Sequence, residues 1–175
     1  MIKGIVCVDN SWAIGKNNGL LYQLKEDMKH FQWNTTQYGE NFVVMGGNTF
    51  KSLPSSKPLK NRVNIVLCKP ESEYEGCICI HDFSKLINFI KILAKNYTVW
   101  IIGGAMLYQS MLPFYDEIIV TKVDAQDSEA TAFFPNLDEL KEFEIVEESE
   151  SIKDIDYTIK FVTYKRINGK ENILI

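Results

Sequence analysis

Residues 99–108 read Val99-Trp100-Ile101-Ile102-Gly103-Gly104-Ala105-Met106-Leu107-Tyr108, four apolar residues, two glycines and then a run with helical spacing. The same order recurs at 42–50, in Phe42-Val43-Val44-Met45-Gly46-Gly47-Asn48-Thr49-Phe50. A short unbroken apolar run suits a strand covered on both faces, which is the habit of parallel sheets flanked by helices. Glycines at the carboxyl end of such a strand let a ligand approach the backbone, and the helix start that follows offers N–H groups to an anion. One doublet alone is more simply a tight turn; two of them could hold two ends of one diphosphate-bearing cofactor. Neither fits the G-x-G-x-x-G fingerprint and no Walker-type phosphate loop is present, so a standard dinucleotide fold or a nucleotide triphosphatase is not supported.

Outward from these two junctions, the first 125 residues alternate short apolar runs with helical patterns. Strands are predicted over 2–8, 41–45, 63–68, 77–80, 99–102 and 117–123, and helices over 24–35, 49–53, 84–94 and 105–112. Asp82 or Ser84 is the candidate cap of the third helix and Pro113 the stop of the fourth. Residues 143–148 and 157–166 read as an antiparallel hairpin across an acidic turn at 147–156. The expected fold is α/β: one domain over 1–175, with a mostly parallel twisted sheet of about eight strands, helices on both faces and an antiparallel C-terminal hairpin. Residues 9–19 match neither period, and so long a loop is a candidate lid. Residues from about 166 to 175 are expected to form a tail.

Composition sets the outer limits. The 175 residues are 46% hydrophobic and 24% charged, enough for a full core and unlike a disordered chain. A formal net charge of −4 argues against a nucleic-acid partner, so an anionic ligand must be met by local charge. No apolar run approaches the roughly 18–20 residues of a membrane span, and the N-terminus lacks a signal-peptide pattern, so a soluble cytoplasmic protein is expected. Cys7, Cys68, Cys77 and Cys79 then read as free thiols. On a strand Cys77, Cys79 and His81 share a face, but no fourth ligand is evident and no metal site is expected.

Asp27 is the most informative single position. Leu24, Met28 and Phe31 mark the inward stripe of a helix, and Asp27 falls at i+3 on that same face. A carboxylate there is costly unless paired, and desolvation raises its pKa, which prepares it as a proton donor or ligand anchor. A cap on a neighbouring element, or a place at the solvent edge of the stripe, accounts for it equally well. Arg62 and Lys69 mark opposite ends of one predicted strand, where a guanidinium could clamp a carboxylate and an ammonium could meet a phosphate. The only histidines, His30 and His81, form no hydrolytic grouping, so nucleophilic hydrolysis is disfavoured.

Taken in order, the residues resemble the dihydrofolate reductase family from Ile2 to about Tyr164. The matching pieces are Ala13-Ile14-Gly15 with Asn18, Leu24 to Phe31 with Asp27, Val44-Met45-Gly46 with Thr49-Phe50, and Pro58-Leu59 with Arg62. They continue through Asn64-Ile65-Val66-Leu67, Ile102-Gly103-Gly104 with Tyr108, Thr121 and Phe133-Phe134-Pro135. The resemblance implies reduction of 7,8-dihydrofolate to tetrahydrofolate by NADPH, for one-carbon metabolism. It implies catalytic roles for Asp27, Tyr22 and Thr121. The substrate would meet Ile5, Cys7, Asp27, Met28, Phe31, Leu53, Leu59, Arg62, Ile102, Tyr108 and Thr121. The cofactor would lie against Cys7, Ile14, Gly15, Asn18 and Leu20 of the strand and lid. It would also lie against Gly46, Gly47, Asn48, Thr49, Leu67, Cys68 and Lys69, and against Ile102, Gly103, Gly104, Ala105, Met106, Leu107 and Tyr108. A monomer is expected.

The chain departs from that family's pattern at several positions. Leu21-Tyr22 stands where Pro-Trp is usual, Gly47 where Arg or Lys is common, and Ala105-Met106 where a third glycine and a basic residue are frequent. Ala130-Thr131, or Glu129-Ala130, replaces a Gly-Asp pair, so the lid must be steadied differently. Two competing readings follow: a same-fold reductase of a pyrimidine or pteridine, and a catalytically weak folate or nucleotide binder.

Overall fold

The apolar runs of the first half pair side by side as parallel strands. In the computed structural model, which describes residues 1–37 and 39–167, the elements in chain order are β1 (Ile2–Val8), β2 (Ala13–Lys16), β3 (Gly19–Leu20), α1 (Lys25–Thr36), β4 (Asn41–Gly46), α2 (Gly47–Ser52), β5 (Val63–Leu67) and β6 (Cys77–Ile80). They continue with α3 (Phe83–Leu93), β7 (Thr98–Ile101), α4 (Ala105–Ser110), β8 (Glu117–Val123), β9 (Ala132–Phe133), β10 (Phe143–Glu148), β11 (Ile152–Asp154) and β12 (Tyr157–Arg166). The main sheet runs β10-β12-β8-β1-β7-β4-β5-β6, with β11 pairing on β12. All pairs from β8 to β6 are parallel, and β12 and β10 add antiparallel.

Successive side chains along the central strands serve opposite layers, as strand geometry requires. Val44, Ile65, Val99 and Ile101 pack with Leu86, Ile87 and Ile90 of α3 and Leu107 of α4. Val43, Met45, Val66 and Trp100 pack on the other face with Phe50 of α2 and Phe31 of α1. Asp82 caps α3 by accepting from the Lys85 amide at 2.9 Å. Among the described residues, no helix is long and apolar enough to cross a membrane.

The structure corrects several sequence expectations. The main sheet has the expected eight strands along its path, and the acidic turn, expected to be only a turn, contains a ninth, β11, paired on β12. The predicted loop at 9–19 contains β2 and β3, which form a small second sheet with β9. Too short to show a period, these strands are held by distant pairing rather than propensity. Helix α1 has Leu24 as its cap residue, and its buried face carries Asn34 and Thr35 rather than Met28, which is 51% exposed. His30 docks that helix on the sheet, its ring stacked on Phe161 at 3.8 Å. Arg166 ends β12 at the limit expected for that strand and donates to the carbonyls of Tyr115 and Leu112. Tail residues 168–175 lie outside the described residues.

Gly103 has φ +121°, and a Cβ there would stand 3.3 Å from the Tyr108 ring. The backbone conformation strains any side chain there, and the Tyr108 ring would have to give slightly. Gly103→Ala is expected to destabilise the fold by about 1–3 kcal/mol, measurable by reversible urea unfolding.

Candidate active site

Asp27 meets its partners where β1, β8 and the start of α4 converge. The half-buried carboxyl is hydrogen-bonded to the hydroxyl of Thr121 on β8, itself 2% exposed. Thr121 stands opposite Cys7 on β1 and Phe161 on β12. Burial pushes the Asp27 pKa above the ordinary carboxylate range; the Thr121 hydrogen bond opposes this and the charge of Asp154 adds to it. Burial chiefly, with the charges of Asp27, Asp154 and Asp9, pushes the Cys7 thiol well up and keeps it neutral. Tyr108 is fully sequestered, and burial followed by the Asp27 charge raises its phenol too.

Tyr108 joins this group to the glycine corners. Its hydroxyl donates to the Ile5 carbonyl at 2.8 Å, while its ring lies against Gly103. The two doublets abut because β4 and β7 are neighbours: the Gly46 amide donates to the Gly103 carbonyl at 2.8 Å. A Cβ on Gly104 would stand 3.3 Å from Thr49 Oγ1, so the two junctions share one narrow floor. The Gly103–Gly104 peptide is cis. Leu67 pairs with Gly46 on the next strand, and Cys68 and Lys69 follow, which extends the row across three strand ends. Ala105 begins α4, Leu107 is buried and Met106 is 87% exposed.

Ile5, Phe31, Leu53, Leu59 and Ile102 gather in one apolar cluster, to which α1 contributes Phe31, one turn on from Asp27. Arg62 borders it: Nε donates to the Lys60 carbonyl at 2.8 Å, an Nη donates to Thr35 Oγ1 at 2.9 Å, and the guanidinium lies 6.0 Å from the Phe31 ring centre. Met28 is on the same helix but outside that cluster. A Cβ on Gly47 would stand 3.2 Å from the Tyr74 hydroxyl, so a tyrosine from the β5–β6 connection occupies the place of the missing side chain.

The lid hairpin β2–β3 carries Ile14, Gly15 and Leu20, with Asn18 in its turn. It is tied to the segment before β9 by Thr131, whose amide donates to the Gly15 carbonyl at 3.0 Å and whose hydroxyl accepts from Asn17 at 3.3 Å. Lys16 and Glu129 add an ion pair. Asp9, 3% exposed, is the root: Oδ1 accepts from the amides of Ser11 and Ala13 at 2.9 and 3.0 Å. Oδ2 accepts from the Asp127 amide at 3.0 Å and the Tyr22 hydroxyl at 3.3 Å. The Tyr22 hydrogen is therefore directed at Asp9 rather than Asp27, its ring edge packs on Tyr157 at 5.0 Å, and burial with the Asp9 charge pushes its pKa up to about 12.

Sequence reasoning did not find Asp9 or Asp154. Asp9 had a usable local signal, because Asp at the start of a polar turn commonly accepts from amides two residues on. Asp154 had none. Cys68 Sγ lies 3.6 Å from His81 Nδ1 and Cys79 accepts from the Tyr74 amide, but among the described residues no group of three or more ligating side chains is arranged to hold a metal.

The family model described as dihydrofolate reductase matches residues 1–166. The chain belongs to the dihydrofolate reductase family. It is 32% identical to the dihydrofolate reductase of Bacillus subtilis, with 98% of each chain covered. It is 33% identical to the viral dihydrofolate reductase of Saimiriine herpesvirus 2, covering 94% of this chain and 82% of that one. A solved dihydrofolate reductase from Enterococcus faecalis, complexed with NADP(H) and RAB-propyl, superposes with a TM-score of 0.83 at 26% identity, covering 96% and 97% of the two chains.

In this family member, which lacks a Gly-Asp pair, the root of the hairpin is held by the buried Asp9 carboxylate, and Thr131 and the Lys16–Glu129 pair hold its far end. In Asp9→Asn the amide nitrogen cannot accept from Asp127. Amide exchange at 13–20 is expected to quicken about 10-fold or more, with the amides of β4, β5 and β7 unchanged.

Proposed function

We propose that this chain reduces 7,8-dihydrofolate to tetrahydrofolate with NADPH, and that Asp27 governs the proton that N5 gains. The observation carrying this reading is the half-buried Asp27 carboxyl on Thr121, joined through Tyr108 to two abutting glycine corners. The corners fit a diphosphate-bearing cofactor, because a Cβ at Gly104 would crowd the floor between them. NADPH when bound supplies the hydride that C6 receives. Gly46, Gly47, Asn48, Thr49, Leu67, Cys68, Lys69, Gly103, Gly104, Ala105, Met106 and Leu107 are the groups that would hold it.

Asp27 grips the amino-pyrimidine edge of the pterin, and Thr121 orients its carboxyl. Phe31, Leu53 and Leu59 pack the ring and the aminobenzoyl group, with Ile5, Cys7, Ile102 and Tyr108 completing the walls and the exposed Met28 at the rim. Arg62 pairs with the glutamate carboxylate, which its planar fork suits. The lid residues Ile14, Gly15, Asn18 and Leu20 close over the nicotinamide side and exclude water. Tyr22 acts beside the lid root, where its hydroxyl oxygen can still accept from a water. We read the working unit as one cytoplasmic chain, a single domain over 1–175; all the groups named come from one copy.

The pH dependence follows from the direction of the Asp27 shift. A carboxyl raised above its ordinary value keeps its proton further up the pH scale, and the proton-requiring step slows as pH rises through that value. Following NADPH absorbance with dihydrofolate should show turnover that declines toward alkaline pH. Asp27→Asn should lower the rate about 100-fold or more at pH 7, with partial recovery in acid. A folded chain that binds both ligands and oxidises no NADPH would mark a silent binder instead.

Gly47 has no positive φ, and the Tyr74 hydroxyl in its way is the far end of a side chain. Gly47→Arg is therefore expected to fold and to bind NADPH about 10-fold tighter with NADH unchanged, checked by fluorescence titration. Equal gains for both would place the new guanidinium on the shared diphosphate.

A further inference from the structure

Helix α1 begins without a cap of its own. Leu24 stands at the cap position and offers no side-chain acceptor to the free N–H groups of the first turn. Asp154, at the end of β11, supplies one from far along the chain. Its Oδ1 accepts from the Lys25 amide at 3.0 Å, and its Oδ2 accepts from the amides of Glu26 at 2.6 Å and Asp27 at 3.4 Å. It is 3% exposed, a setting in which a carboxylate is retained only where donors and a helix dipole meet it.

One of the amides that Asp154 receives is that of Asp27 itself, and the charge of Asp154 acts on the Asp27 carboxyl. The groups facing Asp27 are Cys7 from β1, Thr121 from β8, Tyr108 from α4 and Asp154 from β11. Burial keeps the Cys7 thiol and the Tyr108 phenol neutral, and Thr121 does not titrate. On α1 itself Glu26 and Lys29 pair with one another at 2.6 Å at the surface. Asp9, at the lid root, acts on Cys7. Asp154 is thus the negative charge presented to Asp27 from the packed side.

We propose that Asp154 is a positioning residue for the reaction, fixing the first turn of α1 by hydrogen bonds and setting, through its charge, the pH range over which Asp27 works. The inference rests on the reading of Asp27 given above. A carboxylate beside a like charge ionises less readily, so removing the neighbour lets Asp27 lose its proton at lower pH.

Asp154→Asn keeps an acceptor oxygen for the helix amides and removes the charge; Asp154→Ser is a second neutral cap should the amide variant fold poorly. The titration of Asp27 is followed by carboxyl carbon NMR in the ligand-free protein, and kcat is followed against pH with NADPH and dihydrofolate. Both inflections are expected at lower pH in the neutral variants, and back toward the wild-type position in Asp154→Glu. A purely structural cap would lower the unfolding temperature and leave the titration in place. An unmoved Asp27 titration in a folded neutral variant overturns the proposal. A titration that moves while the kcat profile stays fixed overturns instead the role given to Asp27 in turnover.

Discussion

A carboxyl group turned toward the interior must be compensated, and the arrangement around Asp27 compensates it only in part. Thr121 gives it one hydrogen bond, while burial and the charge of Asp154 act against its ionised form. No described lysine or arginine is placed to neutralise it: Arg62 is engaged with Lys60 and Thr35, and Lys29 with Glu26. A carboxyl stabilised only for folding would be paired with a cation, because an unpaired buried charge is among the costliest features a core can hold. What Asp27 has instead is an environment that favours proton retention and leaves its polar edge for a ligand. Stability follows the same direction: a carboxyl raised on folding favours the folded state below its ordinary pKa and loses that contribution as pH rises through its raised value.

The second constraint is the order of the strands. After β1 the chain leaves a gap, builds β4, β5 and β6 outward, returns to insert β7 between β1 and β4, and then places β8 on the far side of β1. The insertion of β7 makes the two glycine corners neighbours, since 99–104 and 42–47 end side by side. The placement of β8 brings Thr121 opposite Cys7 and so beneath Asp27. Both halves of the site therefore lie at the carboxyl ends of the strands on either side of the reversal in strand order, the crevice in which open α/β sheets bind ligands.

The sequence carried the parts of this that depend on local period. The strands 2–8, 77–80 and 117–123 have the predicted limits, the closing pair 143–148 and 157–166 lies antiparallel, and Asp82 caps its helix. The inward turn of Asp27 was legible from its spacing to Leu24 and Phe31. Met28 was misplaced because a stripe drawn through 24, 28 and 31 is rotated from the buried face, which runs through 27, 31, 34 and 35 with polar Asn34 and Thr35 in it. The lid strands and β11 were illegible, since two to four residues cannot display a period and their pairing is set by partners elsewhere in the chain.

The two acidic residues that escaped notice share a physical reason for doing so. Asp9 joins its own turn to Asp127 and Tyr22, and Asp154 joins the sheet edge to the start of α1; in each, the long-range link is to a backbone amide more than a hundred residues away. An amide is present at every non-proline position, so no residue type marks the receiving end, and a carboxylate that serves it looks like any solvated acid in a turn. Their buried positions give them different work from the surface pair Lys16–Glu129, which salt screens. Asp9 holds the lid root to the loop before β9, and Asp154 holds the helix that presents Asp27. A movement of either loop must therefore break charge-assisted bonds in a water-poor setting, which makes the positions of lid and helix discrete rather than graded. The hairpin and the helix that presents Asp27 are held independently, because the two anchors share no hydrogen-bond partner.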